Sequence, residues 1–198
     1  TENVIYLYFG GLDEGDTGWS GELHPAYDVD GDPTTFSAEE LELISQIYLM
    51  VKEDYSAYNV TVTTDQSVFD AATNAIRVVV GGTGNGRGGV AYVGSFGTGK
   101  QDCYVFPNSL GNTNAKNIAE AISHEVGHTM GLGHDGYNDQ EYYGGSSLWA
   151  PIMGVGYSSD LSQWSRGEYV GATNIQDDLA VIAGRLEYKE DDYGDNIK

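Results

Sequence analysis

Three of the chain's four histidines fall inside "HEVGHTMGLGH", at positions 124, 128 and 134, and Glu125 follows the first of them. Set on a helix, His124 and His128 stand one turn apart on one face, so both imidazoles can point at a single atom. Two such rings can hold a zinc ion at about 2.0–2.1 Å. A third ligand from the next turn would crowd them, so the chain must leave the helix and double back. "GLGH" permits this: Gly131 can take positive φ, end the helix and return His134 to the metal. Three protein ligands leave a fourth position open for water, which is the catalytic zinc arrangement rather than the structural one. Glu125 reaches that water. Zinc lowers its pKa toward about 7, so a carboxylate serves as base near neutral pH and can pass the proton to a leaving amine.

The elements that must position these groups surround them. Residues 115–131 form a helix whose other side, Ala115, Ile118, Ala119, Ile122, Val126 and Met130, must face a core. "NVIYLYFGG" (3–11) is a first strand, with Val4, Tyr6 and Tyr8 alternating against Ile5, Leu7 and Phe9. Residues 37–58 read as a helix capped by Ser37, with Glu40 at the capping-box position and an apolar stripe of Leu41, Ile44, Ile47, Tyr48 and Val51. "NVTVTTD", "AIRVVVGG", "GGVAYVGSF" and "DCYVF" supply four more strands, and residues 175–186 a third helix, capped by Thr173 or Asn174. Between the last two helices runs an irregular stretch, 132–172, rich in Gly, Ser, Tyr and Trp. A loop that long in a compact domain is usually functional. This order predicts an α/β, or α+β, domain on a twisted sheet.

Composition narrows the function. At 198 residues, 40 % of them hydrophobic, the chain is globular and long enough for a core. Its 30 acids against 9 bases give a net charge of −21, which excludes nucleic acid and anionic membrane surfaces as partners. No run of eighteen apolar residues occurs, so no membrane span is expected. The chain starts at Thr1 without a basic or apolar leader, so any signal or pro-segment is expected to have been removed or never present. Cys103 stands alone, forms no intrachain disulfide, and reads as a buried inert thiol.

"HEVGHTMGLGHD" matches the His-Glu-x-x-His-x-x-Gly-x-x-His signature of the metzincin zinc metallopeptidases. Asp135, directly after the third histidine, resembles the reprolysin/adamalysin-like branch, and the single cysteine makes the chain look like a bacterial, disulfide-free relative of it. The resemblance implies a metzincin fold: a mixed, twisted five-stranded sheet with a backing helix, a zinc-bearing active-site helix, a Met-turn and a C-terminal helix. It also implies one catalytic domain over 1–198, with an upper part to about 134 and a lower part from about 135. The activity implied is that of a secreted, monomeric zinc endopeptidase acting on protein or peptide substrates, with His124, His128 and His134 as ligands and Glu125 as general base. "WAPIMGVGY" (149–157) supplies the Met-turn, with Met153 as an apolar floor beneath the metal. Val155 stands where astacins and serralysins carry a metal-reaching tyrosine, and Tyr157 lies two further on. Metzincins hold the peptide along an edge strand, here "GGVAYVGSF" with Val90, Ala91, Tyr92 and Val93. The side chain after the cleaved bond would face Val155, Gly156 and Tyr157. Both segments also read as plain sheet and loop.

Other motifs carry less. "GSFGTGKQ" (94–101) approaches a phosphate loop, but Gln101 replaces the magnesium-binding Ser/Thr and strand follows instead of helix. "GNGRGG" (84–89) also precedes strand and reads as a loop, and "DDYGDN" (191–196) as a tail. In "DVDGDPTTFSAE", Asp28, Asp30, Asp32 and Glu39 occupy positions 1, 3, 5 and 12 of an EF-hand-like calcium loop, with Pro33 where glycine is usual. Two readings stay open there: a modified Ca2+ loop, or a solvated acidic turn before a helix N-terminus. Two rivals to the zinc endopeptidase also remain, a non-cleaving toxin-like or adhesive domain that keeps the zinc site, and a zinc amidase on a non-protein amide. Glu125 argues against the binder, which has no use for that carboxylate.

Overall fold

The computed structural model describes residues 3–12, 19, 23–99 and 102–190. Lys100 and Gln101 of the phosphate-loop resemblance, and the 191–196 tail, lie outside the described residues. Five strands, β1 (Asn3–Tyr8), β2 (Thr61–Thr63), β3 (Asn74–Val80), β4 (Gly89–Val90) and β5 (Asp102–Val105), form one sheet in the order β2-β1-β3-β5-β4. All neighbours are parallel except β4, which runs antiparallel to β5 at the edge. The expected mixed five-stranded sheet is therefore present.

Alternation in β1 divides its side chains between two layers. Ile5 and Leu7 join Ile76, Val78 and Val105 in the main core, beneath helices α1 (Ala38–Asp54) and α3 (Ala115–Met130). Val4 and Tyr6 face the other way, onto Phe69 and Ala75. Phe69 belongs to a short helix, α2 (Gln66–Ala71), which the apolar pattern does not announce. Its signal is Asp65, whose carboxylate accepts the Ser67 N–H as N-cap.

α1 starts as expected. Ser37 accepts the Glu40 N–H, and the Glu40 carboxylate accepts the Ser37 N–H at 2.8 Å. Ile47 and Val51 are buried, but Leu41 is exposed, and the helix ends at Asp54 rather than 58. Glu40 does more than cap. Fully buried, it also accepts the Val29 N–H at 2.7 Å, tying the preceding loop to the helix. Glu40→Ala leaves both N–H groups without an acceptor, and chemical denaturation should show a loss of about 1–3 kcal/mol.

That carboxylate also corrects the calcium reading. Asp28 and Asp30 gather with Glu40, not Glu39, their oxygens within 4.8 Å of one another. Glu39 is exposed, and Asp32 turns to Thr34 and Thr35. The expected set of four does not assemble: Glu39 is outside the group, and Asp28, Asp30 and Asp32 each close a local turn. A solvated acidic turn accounts for these residues.

Residues 132–172 contain two short strands, β6 (Trp149–Pro151) and β7 (Leu161–Gln163), paired in parallel. Backbone bonds hold the rest: Asp135 N–H to Met153 O, Tyr143 N–H to Asp135 O, and Val155 N–H to Tyr143 O. Tyr143 stacks on Tyr169 with ring centroids 4.2 Å apart. The last helix, α4 (Asp178–Leu186), is capped by Asp177 rather than Thr173 or Asn174. Asn174 is used elsewhere: its side chain accepts the Gln176 N–H and donates to the carbonyl of Gly133. Among the described residues, no helix is long and apolar enough to cross a membrane.

Asp178 is wholly buried, with one carboxylate oxygen on the Ser165 N–H and the other without a partner. Burial pushes its carboxyl up to about 7 from the usual 3.8. A raised folded-state pKa means that the native state holds the proton more tightly. The stabilisation is complete below the unfolded pKa and is lost as pH rises through the folded one. Asp178→Asn should therefore match the parent near pH 4, outgain it as pH rises, and level off above pH 7 at an advantage of about 4 kcal/mol. Melting temperatures of both proteins across that range check this.

Candidate metal centre

α3 carries His124, Glu125 and His128, and its apolar side, from Ala115 to Met130, is buried as the periodicity requires. Gly131 ends it at φ +114, and its N–H bonds back to the carbonyls of Gly127 and His128. A side chain would strain there. The turn that follows is held from outside, by Gln176 Oε1 on the Gly133 N–H at 2.8 Å. His134 is thereby returned to the other two.

One nitrogen from each of His124, His128 and His134 lies within 4.8 Å of the others. Their remaining nitrogens are spoken for. His124 Nδ1 is 2.8 Å from the carbonyl of Ile152, His128 Nδ1 2.8 Å from that of Leu132, and His134 Nδ1 2.7 Å from Glu141 Oε1. A carbonyl oxygen only accepts, so each of the first two Nδ1 atoms must carry the proton, and a carboxylate asks the same of the third. The Nε2 atoms then present lone pairs to one another, those of His128 and His134 at 2.9 Å. Facing lone pairs at that distance repel, and a cation between them converts repulsion into three bonds. Burial pushes His124 down to about 3 and lowers His128 as well, each beside the other histidines. Neutral imidazoles are the form that ligates.

A model of metallo-peptidase family M12B, reprolysin-like, matches residues 30–135. The chain belongs to this family. The match spans more than half of the protein, from Asp30 in the acidic loop through α1, strands β2 to β5 and α3 to Asp135, and leaves β1 and Met153 outside it. No curated protein matches the chain significantly. Membership and the three-histidine group together point to zinc in this metallo-peptidase, and the donor set fits it, since neutral Nε2 atoms backed by carbonyl and carboxylate partners are what zinc takes.

Glu125 of the metallo-peptidase is buried against the sheet edge. A Cβ on Gly89 would lie 2.5 Å from its Cγ and 2.8 Å from the carbonyl of Tyr104, so only glycine lets β4 pass this close. Burial alone pushes its carboxyl up to about 8. Met153 is fully buried below α3, its sulfur 2.7 Å from where a Cβ on Gly127 would stand. Asp135 is also buried and, through its backbone bond to Met153, joins the histidine loop to that turn.

The edge strand is shorter than the sequence suggests. Only Gly89 and Val90 pair with β5, while Ala91 and Tyr92 continue without regular structure into a turn at Val93 and Gly94. The Gly94 N–H goes to the carbonyl of His128 and the Phe96 N–H to that of Thr129, satisfying the last turn of α3 instead of a neighbouring strand. Opposite, Val155 and Tyr157 are partly exposed and Gly156 is buried; a Cβ on Gly88 would meet the Tyr157 hydroxyl at 3.1 Å. The segments 88–93 and 155–157 thus flank Glu125. Tyr142 was not singled out by spacing, yet its ring lies 4.3 Å from that of His134 and 6.2 Å from that of His124. It and Glu141 come from the irregular stretch, where no local pattern marks them. Cys103 is buried and its thiol pushed well up by desolvation, in keeping with an inert role.

Proposed function

We propose that the chain is a zinc endopeptidase that hydrolyses peptide bonds of protein substrates. The observation that carries this is the set of three Nε2 lone pairs turned on one point beside a buried carboxylate. His124, His128 and His134 hold the metal, and Ile152, Leu132 and Glu141 fix their orientation. When bound, zinc supplies Lewis-acid chemistry, polarising the scissile carbonyl and making water acidic. Glu125 takes a proton from the attacking water and delivers it to the leaving amine. The peptide lies extended beside β4 and the segment 91–93, where the sheet edge offers main-chain groups. Its side chain after the cleaved bond points toward Val155, Gly156 and Tyr157.

The test is a random peptide library incubated with zinc-loaded protein, with and without chelator, and read by mass spectrometry. Chelator-sensitive internal cleavage is expected. Intact peptides that nonetheless bind would favour the adhesive domain, and release of a non-peptide amine from amide substrates alone would favour the amidase.

A further inference from the structure

A cavity of about 580 Å³ opens between the end of α1, the first half of α3 and β7. Glu53, Asp54, Glu120 and Asp160 line it, and Lys116 is the only base among its described lining residues. Glu120 is the residue it turns on. Its side chain is 10 % exposed, and Oε1 accepts from Lys116 Nζ at 2.5 Å. Oε2 is buried and has no partner. A desolvated carboxylate oxygen left unpaired is costly, and a cationic N–H donor is what satisfies it best.

Position connects this carboxylate with the metal centre. Glu120 lies about one turn before His124 on the same face of α3, about 6 Å along the axis. A Cβ on Gly156 would meet Glu120 Oε2 at 3.2 Å, and Lys116 Nζ donates to the carbonyl of Gly156 at 2.9 Å. The Tyr157 hydroxyl feels both Glu120 and Glu125. The unpaired oxygen therefore sits against Gly156, behind the segment 155–157. Met50 and Trp164 add apolar wall for the stem of such a side chain.

We infer that this cavity takes the guanidinium or ammonium head of an arginine or lysine side chain from the bound polypeptide, and that Glu120 selects it. Placing that residue directly after the cleaved bond rests on the endopeptidase reading; binding of the cationic head does not. Lys116 keeps Oε1, and the incoming head takes Oε2.

The test has two arms. In the first, n-butylguanidinium and its neutral isostere n-butylurea are titrated into the protein and followed by NMR at residues 116–120 and 160–164. The cation should bind at least about tenfold more tightly than the urea. Glu120→Gln should erase that difference, while Lys116→Met, which frees the second oxygen, should widen it; a carboxylate with a purely structural role moves neither. Equal binding of cation and urea to folded parent protein overturns the inference. The melting temperature and zinc content of each variant confirm that it is folded. In the second arm, cleaved library peptides should be enriched in Arg and Lys after the scissile bond, with Glu120→Gln lowering kcat/KM for Arg over Leu there at least tenfold. Cleavage without that enrichment overturns the subsite. Absence of all cleavage counts against the hydrolytic reading alone, and the first arm then decides the cavity.

Discussion

Glu125→Ala is expected to lower peptide hydrolysis by about 10²–10⁴ while zinc stays bound. The carboxylate is not needed to hold the cation, because the three histidines converge without it. On the proposed mechanism, what the variant loses is the base that carries a proton from the attacking water to the leaving amine. Burial alone pushes Glu125 up to about 8, and a bound cation would favour its ionised form, as a base working near neutral pH requires. The same burial makes the ionised group costly in the metal-free protein. Above pH 8 the metal-free variant should therefore be no less stable than the parent. Affinity for an extended peptide should change little, since main-chain pairing at β4 does not involve this side chain. Zinc content, melting temperature and single-turnover rates of the two proteins are the measurements. Loss of zinc would make Glu125 a ligand and the three-histidine scheme wrong; full activity with zinc bound would end its role as base.

What could be read from the sequence divides by range. Helical periodicity and capping act within four residues, so α3, its Gly131 stop and the Ser37–Glu40 box were all legible. The alternating faces of β1 were legible for the same reason. The groups that orient the ligands were not, because Ile152 O and Glu141 reach the histidines through a long irregular stretch whose course depends on packing. Competition explains the remaining misreadings. The 91–96 segment has strand-like residues, but its Gly94 and Phe96 N–H groups are taken by carbonyls in the last turn of α3. Asn174 could cap α4, but it holds the Gly133 turn instead. Glu39 was the expected loop carboxylate, but it is exposed, and Glu40 beside it, held by the helix end, lies with Asp28 and Asp30. Each of these is one polar group with two local uses, and tertiary contacts decide between them.

His128→Ala tests the centre itself. His128 is buried, its Nδ1 pinned by the carbonyl of Leu132 and its Nε2 2.9 Å from that of His134. Removing the ring leaves His124 and His134 as a two-nitrogen set, too few for a tightly held zinc ion in this arrangement. Zinc measured after gel filtration should fall from one per chain to a small fraction of that. Hydrolysis should drop at least as far as on loss of Glu125, about 10²–10⁴. Stability gives a readout that does not depend on turnover. A cation that binds only the folded state adds about 2.7 kcal/mol when free zinc is a hundredfold above Kd. Zinc should therefore raise the melting temperature of the parent, and chelator should reverse the rise. The variant should show neither response, whatever its metal-free stability, which also suffers from the emptied space and the stranded Leu132 carbonyl. A variant that keeps stoichiometric zinc and the same zinc-dependent melting shift would remove His128 from the ligand set and the proposed mechanism with it.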